Sequence, residues 1–84
     1  MQFEFENNSL KDLKYWKQKN KPIYKRIFKL LEDISANHPQ GIGKPEPLKE
    51  NLAGWWSRRI NHEHRLVYKV IENKIIILSC RYHY

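Results

Sequence analysis

From Trp55 onward the chain alternates apolar and polar residues in three runs, Trp55 to Ile60, His64 to Ile71 and Ile75 to Tyr84. Alternation with period two marks strands. The separators, Asn61-His62-Glu63 and Glu72-Asn73-Lys74, are too short for anything but turns between antiparallel neighbours. In the second turn Asn73 can supply a left-handed residue. The second half is therefore a three-stranded meander, and its apolar face needs a cover. The Ile-Ile-Ile-Leu start of the last run predicts a strand buried on both faces.

The first half supplies that cover. Ile23, Ile27, Leu30, Leu31 and Ile34 recur at helical spacing, behind a break at Asn20 and a proline, Pro22, suited to a first helical turn. Upstream, Ser9-Leu10-Lys11-Asp12 has the form of a capping box. It predicts a helix to about Lys19 with Leu10, Leu13 and Trp16 facing inward. Before it, Gln2 to Glu6 alternates as a half-buried strand with Phe3 and Phe5 on one side. The reading is an α+β fold of order β-α-α-β-β-β, an antiparallel sheet with a helical hairpin packed on one face, forming one domain over residues 1–84.

Eighty-four residues bury only about 60% of their unfolded surface, so such a domain has little stability to spare. Composition, 40% apolar and 30% charged, is that of a folded globular chain. No apolar run has the length of a membrane span, and Met1-Gln2-Phe3-Glu4 has none of the features of a secretory leader. A lone Cys80 can form no internal disulfide. These features predict a cytoplasmic protein. The formal charge of +7 favours a polyanionic partner. Four of the five arginines (Arg58, Arg59, Arg65, Arg81) lie in the second half, and arginine offers phosphate a planar bidentate fork. That marks the second half as the one that reads phosphate.

Pro39 to Gly54, a long loop holding three of the four prolines and all three glycines, fits a functional segment. Within it Glu46 stands between Pro45 and Pro47, whose rings hold the local backbone extended. Lys49, three residues on, can reach either Glu46 or a phosphate. If the first turn centres on His62, Arg59 faces Arg65, an opposition of like charges that an anion would relieve. Arg58 then points to the other face and takes a structural or partner-facing role. A three-residue second turn sets Arg81 opposite Arg65 with His83 on that face, whereas a two-residue turn sets Tyr82 and Tyr84 there. Two histidines in His62-Glu63-His64 are too few ligands for zinc, so no metal or other cofactor is expected.

Metal-free cleavage of RNA needs a base for the 2′-hydroxyl proton, an acid for the leaving oxygen and cations for the phosphorane. Glu46 fits the base, His83 the acid, and Arg59 with Arg65 the clamp. Tyr84, Trp55 or Trp56 can stack on an unpaired base, although the tryptophans serve equally well as core.

The run Gly43-Lys44-Pro45-Glu46-Pro47-Leu48-Lys49, then Leu52, Trp56-Ser57-Arg58-Arg59-Ile60, His64-Arg65-Leu66-Val67-Tyr68 and Cys80-Arg81-Tyr82-His83-Tyr84 closely resembles the YoeB (Txe) toxins of the RelE-like superfamily. The resemblance runs the length of the chain. It implies a ribosome-dependent mRNA endoribonuclease of a type II toxin–antitoxin system, acting in the ribosomal A site and neutralised by a YefM-type antitoxin. It further implies a homodimer, and repression of the toxin's own operon through operator DNA only when antitoxin is bound. Residue by residue it makes Glu46 the general base, His83 the general acid and Arg65 the stabiliser of the scissile phosphate. Arg59, Lys49 and Tyr84 bind or orient the substrate. The competing reading is a non-catalytic module that blocks translation by occupying ribosome or RNA, which leaves Glu46 and His83 without a task. A DNA-binding regulator acting alone is disfavoured because no recognition helix stands out.

Overall fold

A computed structural model describes residues 1–82. Its elements are β1 (Gln2–Phe5), α1 (Asn7–Lys19), α2 (Lys21–Asn37), β2 (Glu46–Pro47), β3 (Trp56–Arg59), β4 (Arg65–Ile71) and β5 (Lys74–Ser79), with a 3-10 turn at Glu50–Leu52. They form one five-stranded sheet in the order β1-β5-β4-β3-β2. The meander β3-β4-β5 is antiparallel as the alternation requires. The sheet as a whole is mixed, because β1 runs parallel to β5. Two helices carry the chain from β1 to the opposite edge of the sheet, where it enters at β2, and the meander then works back until β5 lies beside β1, a connection that alternation within each strand does not reveal.

The helical hairpin covers one face. Ile27, Leu30, Leu31 and Ile34 of α2 are fully buried against Leu66, Tyr68, Ile75 and Ile77 of the sheet. Each such aliphatic side chain contributes about 1.5–3 kcal/mol on burial. Ile76 and Leu78 are only half-buried, so β5 buries one face fully and the other in part. On β1, Phe5 packs against the core while Phe3 stays exposed.

The α1 terminus departs from the capping box. The helix begins at Asn7 with Glu6 as its cap residue, and no side chain caps it. Ser9 lies inside the first turn, fully buried, and its hydroxyl donates to the carbonyls of Glu6 and Ile77. Asp12 accepts the backbone N–H of Cys80 at 3.0 Å. Both residues therefore tie the helix to β5 and its exit, a tertiary demand that overrides the local signature. Leu10 is exposed rather than inward, while Trp16 is core and Leu13 packs beside it.

At the β4–β5 turn a two-residue connection, Glu72-Asn73, joins Ile71 to its partner Lys74, and the left-handed residue is Glu72 (φ +54°). A bulge then shifts the pairing, from Tyr68 opposite Ile77 to Val67 opposite Ser79. Leu78 is the extra residue, and it moves the strand by one position. The turn is thus the two-residue one, and the bulge gives Val67 and Ser79 the pairing that a three-residue turn would have set; the choice between His83 and Tyr84 lies outside the described residues. β5 ends at Ser79, because the Cys80 N–H and carbonyl bond the side chains of Asp12 and Trp16 and the Tyr82 N–H bonds His64, while the predicted end at Tyr84 lies outside the described residues.

Candidate functional site

The loop between α2 and β3 is shaped by a buried cation. Arg58 is completely buried and ion-paired with Asp33 of α2. Its guanidinium donates to the carbonyls of Gln40 (2.7 Å) and Ile42 (3.0 Å), and its Nε donates to the Tyr68 hydroxyl (3.1 Å). Asp33 also accepts the Ile42 N–H. The loop is thus clipped to α2 and β3 at once. Gly41 (φ +122°) sits where a Cβ would fall 1.9 Å from an Asp33 oxygen, so only glycine fits beside the ion pair. The hydrogen bond from Arg58 is the largest influence holding the Asp33 carboxyl below its ordinary pKa, followed by the Ile42 N–H and Asn37. The Tyr68 hydroxyl lies 3.2 Å from Nδ1 of His38, which fits donation to a neutral imidazole. Burial, then the Arg58 charge, lowers the His38 pKa in agreement.

Beyond the clip the chain joins the sheet. The Arg59 N–H donates to the Gly43 carbonyl (2.7 Å), Glu46 pairs with Ser57, Pro47 with Trp56, and the Leu48 N–H donates to Trp55 (2.9 Å). Segment 39–54, read as loop from its composition, therefore contains an edge strand and a 3-10 turn. Residues opposite one another in an antiparallel pair share a face, and so do residues two apart. Glu46 thus shares a face with Ser57 and Arg59, and Arg65 joins them because Arg59 pairs with Arg65. Arg58 and Tyr68 point the other way, under the helices. From strand spacing and rise, the Glu46 and Arg65 Cα atoms are about 12 Å apart.

The facing arginines are not equivalent. Arg59 is exposed, whereas Nη1 of Arg65 donates to the carbonyls of Asn61 (3.0 Å), His62 (3.1 Å) and His64 (3.2 Å). That engagement relieves the like-charge opposition and anchors the Arg65 guanidinium at Nη1. Lys49 is exposed at the start of the 3-10 turn, on a shallow concave surface with Glu46, Pro47, Leu48 and Glu50. Among the described residues it makes no ion pair with Glu46. Of the tryptophans, Trp56 packs on the core and against His38, while Trp55 lies under the Lys69 ammonium (4.5 Å). His83 and Tyr84 lie outside the described residues. No group of three His, Cys, Asp or Glu able to hold a metal occurs among the described residues.

The segment leading to His83 is held by residues that sequence reasoning missed. The Cys80 N–H is taken by Asp12 and its carbonyl by Nε1 of Trp16 (2.8 Å). The Tyr82 carbonyl accepts the Arg65 N–H (3.1 Å), and the Tyr82 N–H donates to Nδ1 of His64 (2.7 Å). Accepting at Nδ1 leaves the His64 proton on Nε2, which faces a Glu63 carboxylate oxygen at 3.5 Å. His64 is buried and stacks edge-on against Trp16 at 4.7 Å. These partners lie up to 68 residues apart in sequence, so no local spacing announces them. Cys80 itself is buried and its thiol is pushed up to about 12, by burial first and Asp12 second, which makes it inert.

Comparison with known proteins bears on this geometry. Residues 5–84 match the family described as "YoeB-like toxin of bacterial type II toxin-antitoxin system". The chain belongs to the YoeB toxin family. It is accordingly a toxin of a type II toxin–antitoxin system. It is 48% identical to Toxin YoeB of Escherichia coli K12 over the full length of both chains. It is 49% identical to Toxin YoeB of a Synechocystis strain, over all of this chain and 98% of that one. Among solved structures, the YoeB-YefM complex from Staphylococcus aureus contains a chain 53% identical, superposing with a TM-score of 0.93 over 100% of this chain and 98% of that one. The YoeB dimer from the same organism gives 52% identity and a TM-score of 0.94, with the same coverage. YafQ from E. coli, at 20% identity and a TM-score of 0.75 over 96% of this chain and 91% of that one, shares the RelE-like fold.

Proposed function

We propose that this YoeB-family toxin is a ribosome-dependent endoribonuclease that cuts mRNA in the A site, without a metal, by attack of the 2′-hydroxyl on the adjacent phosphate. The observation that carries the reading is the strand register that sets Glu46, Arg59 and Arg65 on one face of the sheet. Glu46 takes the 2′-hydroxyl proton. Its flanking prolines, its pairing with Ser57 and the Arg58 clip fix the backbone beneath that exposed carboxylate. Arg65, its guanidinium anchored through Nη1 to three carbonyls, presents its remaining N–H groups to the scissile phosphate, and Arg59 adds charge beside it. Lys49 steers the neighbouring phosphate. His83 protonates the leaving 5′-oxygen, and Tyr84 stacks on a base. Residues 1–84 act as one unit.

By analogy with the complex and dimer of the S. aureus relative, a YefM-type antitoxin neutralises the toxin and two copies associate. Two toxins with antitoxin repress their operon on operator DNA. Among the described residues no helix is long and apolar enough to cross a membrane, which fits a toxin that works on cytoplasmic ribosomes. The test is to map 5′ ends on a defined mRNA incubated with toxin, with and without programmed ribosomes. New ends at codons, only with ribosomes and only with unmodified Glu46, are expected. Translation arrest without new ends would make the protein an occupying blocker instead.

A further inference from the structure

The net charge of the molecule is confined to one place. The sequence has sixteen basic and nine acidic residues, and eight of the bases but only one acid fall within residues 11–29. Everything else, the arginine-bearing sheet included, holds eight of each and is neutral on balance. The single acid, Asp12, is engaged with the Cys80 N–H. α1 contributes Lys11, Lys14, Lys17 and Lys19; α2 contributes Lys21, Lys25, Arg26 and Lys29. Seven of the eight are exposed and Arg26 is half-buried, and among the described residues none forms an ion pair. Lys14, Lys17, Lys21 and Lys25 line a groove between the two helices, floored by Tyr24.

We infer that this hairpin is a docking surface for double-helical ribosomal RNA, separate from the cleavage face. The inference deepens the ribosome-dependent reading above and rests on it. Charge density selects the partner. Nine residues of helix span about 14 Å. A nucleic-acid duplex presents one phosphate per about 1.7 Å of axis, or about eight over that length. An extended acidic peptide, at about 3.3 Å per residue, presents at most about four carboxylates there. Eight cations match the duplex. All but one are lysines, point charges that hold phosphate without reading bases, as suits a shape-recognised RNA helix. The hairpin packs on the side of the sheet away from Glu46, Arg59 and Arg65, so docking through it leaves the cleavage face open to mRNA.

The test compares wild type with a variant carrying K14Q, K17Q, K21Q and K25Q. Binding to vacant ribosomes and to a ribosomal RNA duplex is measured across a salt series, and cleavage separately at saturating toxin. Each phosphate left without its cation reduces the slope of log K against log salt by about 0.9, so the slope should fall by about three to four. Affinity at about 0.1 M salt should drop at least tenfold, and the saturated cleavage rate should not change. An unchanged slope on ribosomes overturns the inference. So does loss of antitoxin affinity with ribosome binding intact, or tighter binding to a DNA duplex than to RNA. Binding is read without cleavage, so a protein that docks but never cuts would refute the endonuclease reading while the slope still decides the docking surface.

Discussion

Two basic regions of this toxin solve different problems. On the sheet, Arg58, Arg59 and Arg65 are few, nearly balanced by acids, and individually placed by strand register, carbonyl contacts or full burial. On the helical hairpin the cations are many, exposed and unpaired among the described residues, and they carry the whole net charge. The first arrangement costs desolvation and gives geometry; the second costs little and gives long-range attraction. Charge that must act at a bond is built into a scaffold, and charge that must find a partner is left in solvent.

The contrast breaks first at Arg58. Arg58 is the largest fully buried side chain and donates to Asp33, Tyr68 and two loop carbonyls, so Arg58→Ala leaves a cavity and unpaired acceptors and should give the largest drop in melting temperature of these variants. The four hairpin lysine substitutions together should move it by only a few degrees, since exposed positions tolerate change. Equal losses in calorimetry would erase the distinction. Glu46→Gln should then cut the cleavage rate by about 10²–10⁴-fold while ribosome affinity stays near wild type. Loss of binding instead would move Glu46 from chemistry to docking.

His64 sharpens the sheet side. A phenylalanine keeps the stacking on Trp16 but cannot accept the Tyr82 N–H, so the terminal segment should drift and saturated cleavage fall by about 10–100-fold. His64→Asn, which restores an acceptor near Nδ1, should recover much of the loss. If both variants lose activity equally, with unchanged melting temperature, His64 is not positioning that segment. The smallest expected effect is on acid stability. The His38 pKa is lowered, by burial first and Arg58 second, so its contribution is complete above its ordinary 6.5 and is lost as pH falls through the lower folded value. Asp33, also lowered, adds a second loss beginning only below 3.8. Denaturant titrations from about pH 8 downward should show a shallow decline before the steep one, and His38→Phe should remove the shallow part.

Much of this was legible because it is periodic. Alternation gave the meander and the Arg59–Arg65 register, helical spacing gave the buried stripe of α2, and the two together put Arg58 beneath the sheet and Glu46 in a proline-fenced segment. What escaped is what distance in sequence hides. The parallel pairing of β1 with β5 depends on two helices carrying the chain to the far edge, from which the meander works back to β1. The α1 start follows the reach of Ser9 and Asp12 to β5, not their capping-box spacing. The bulge at Leu78 reconciles two registers that a turn alone leaves open. The hairpin's charge escaped as well, because the arginines draw attention to the second half whereas seven of the eight hairpin cations are lysines.

The central claim is that cleavage belongs to the sheet face and docking to the hairpin. It is tested most directly by single-turnover cleavage of mRNA on programmed ribosomes, with Glu46→Gln and the four-lysine variant each titrated to saturation. Glu46→Gln should stay near zero at every concentration, whereas the lysine variant should reach the wild-type rate at higher concentration. A lysine variant that saturates at a lower rate, or a Glu46→Gln protein that reaches full rate when enough is added, would contradict the division.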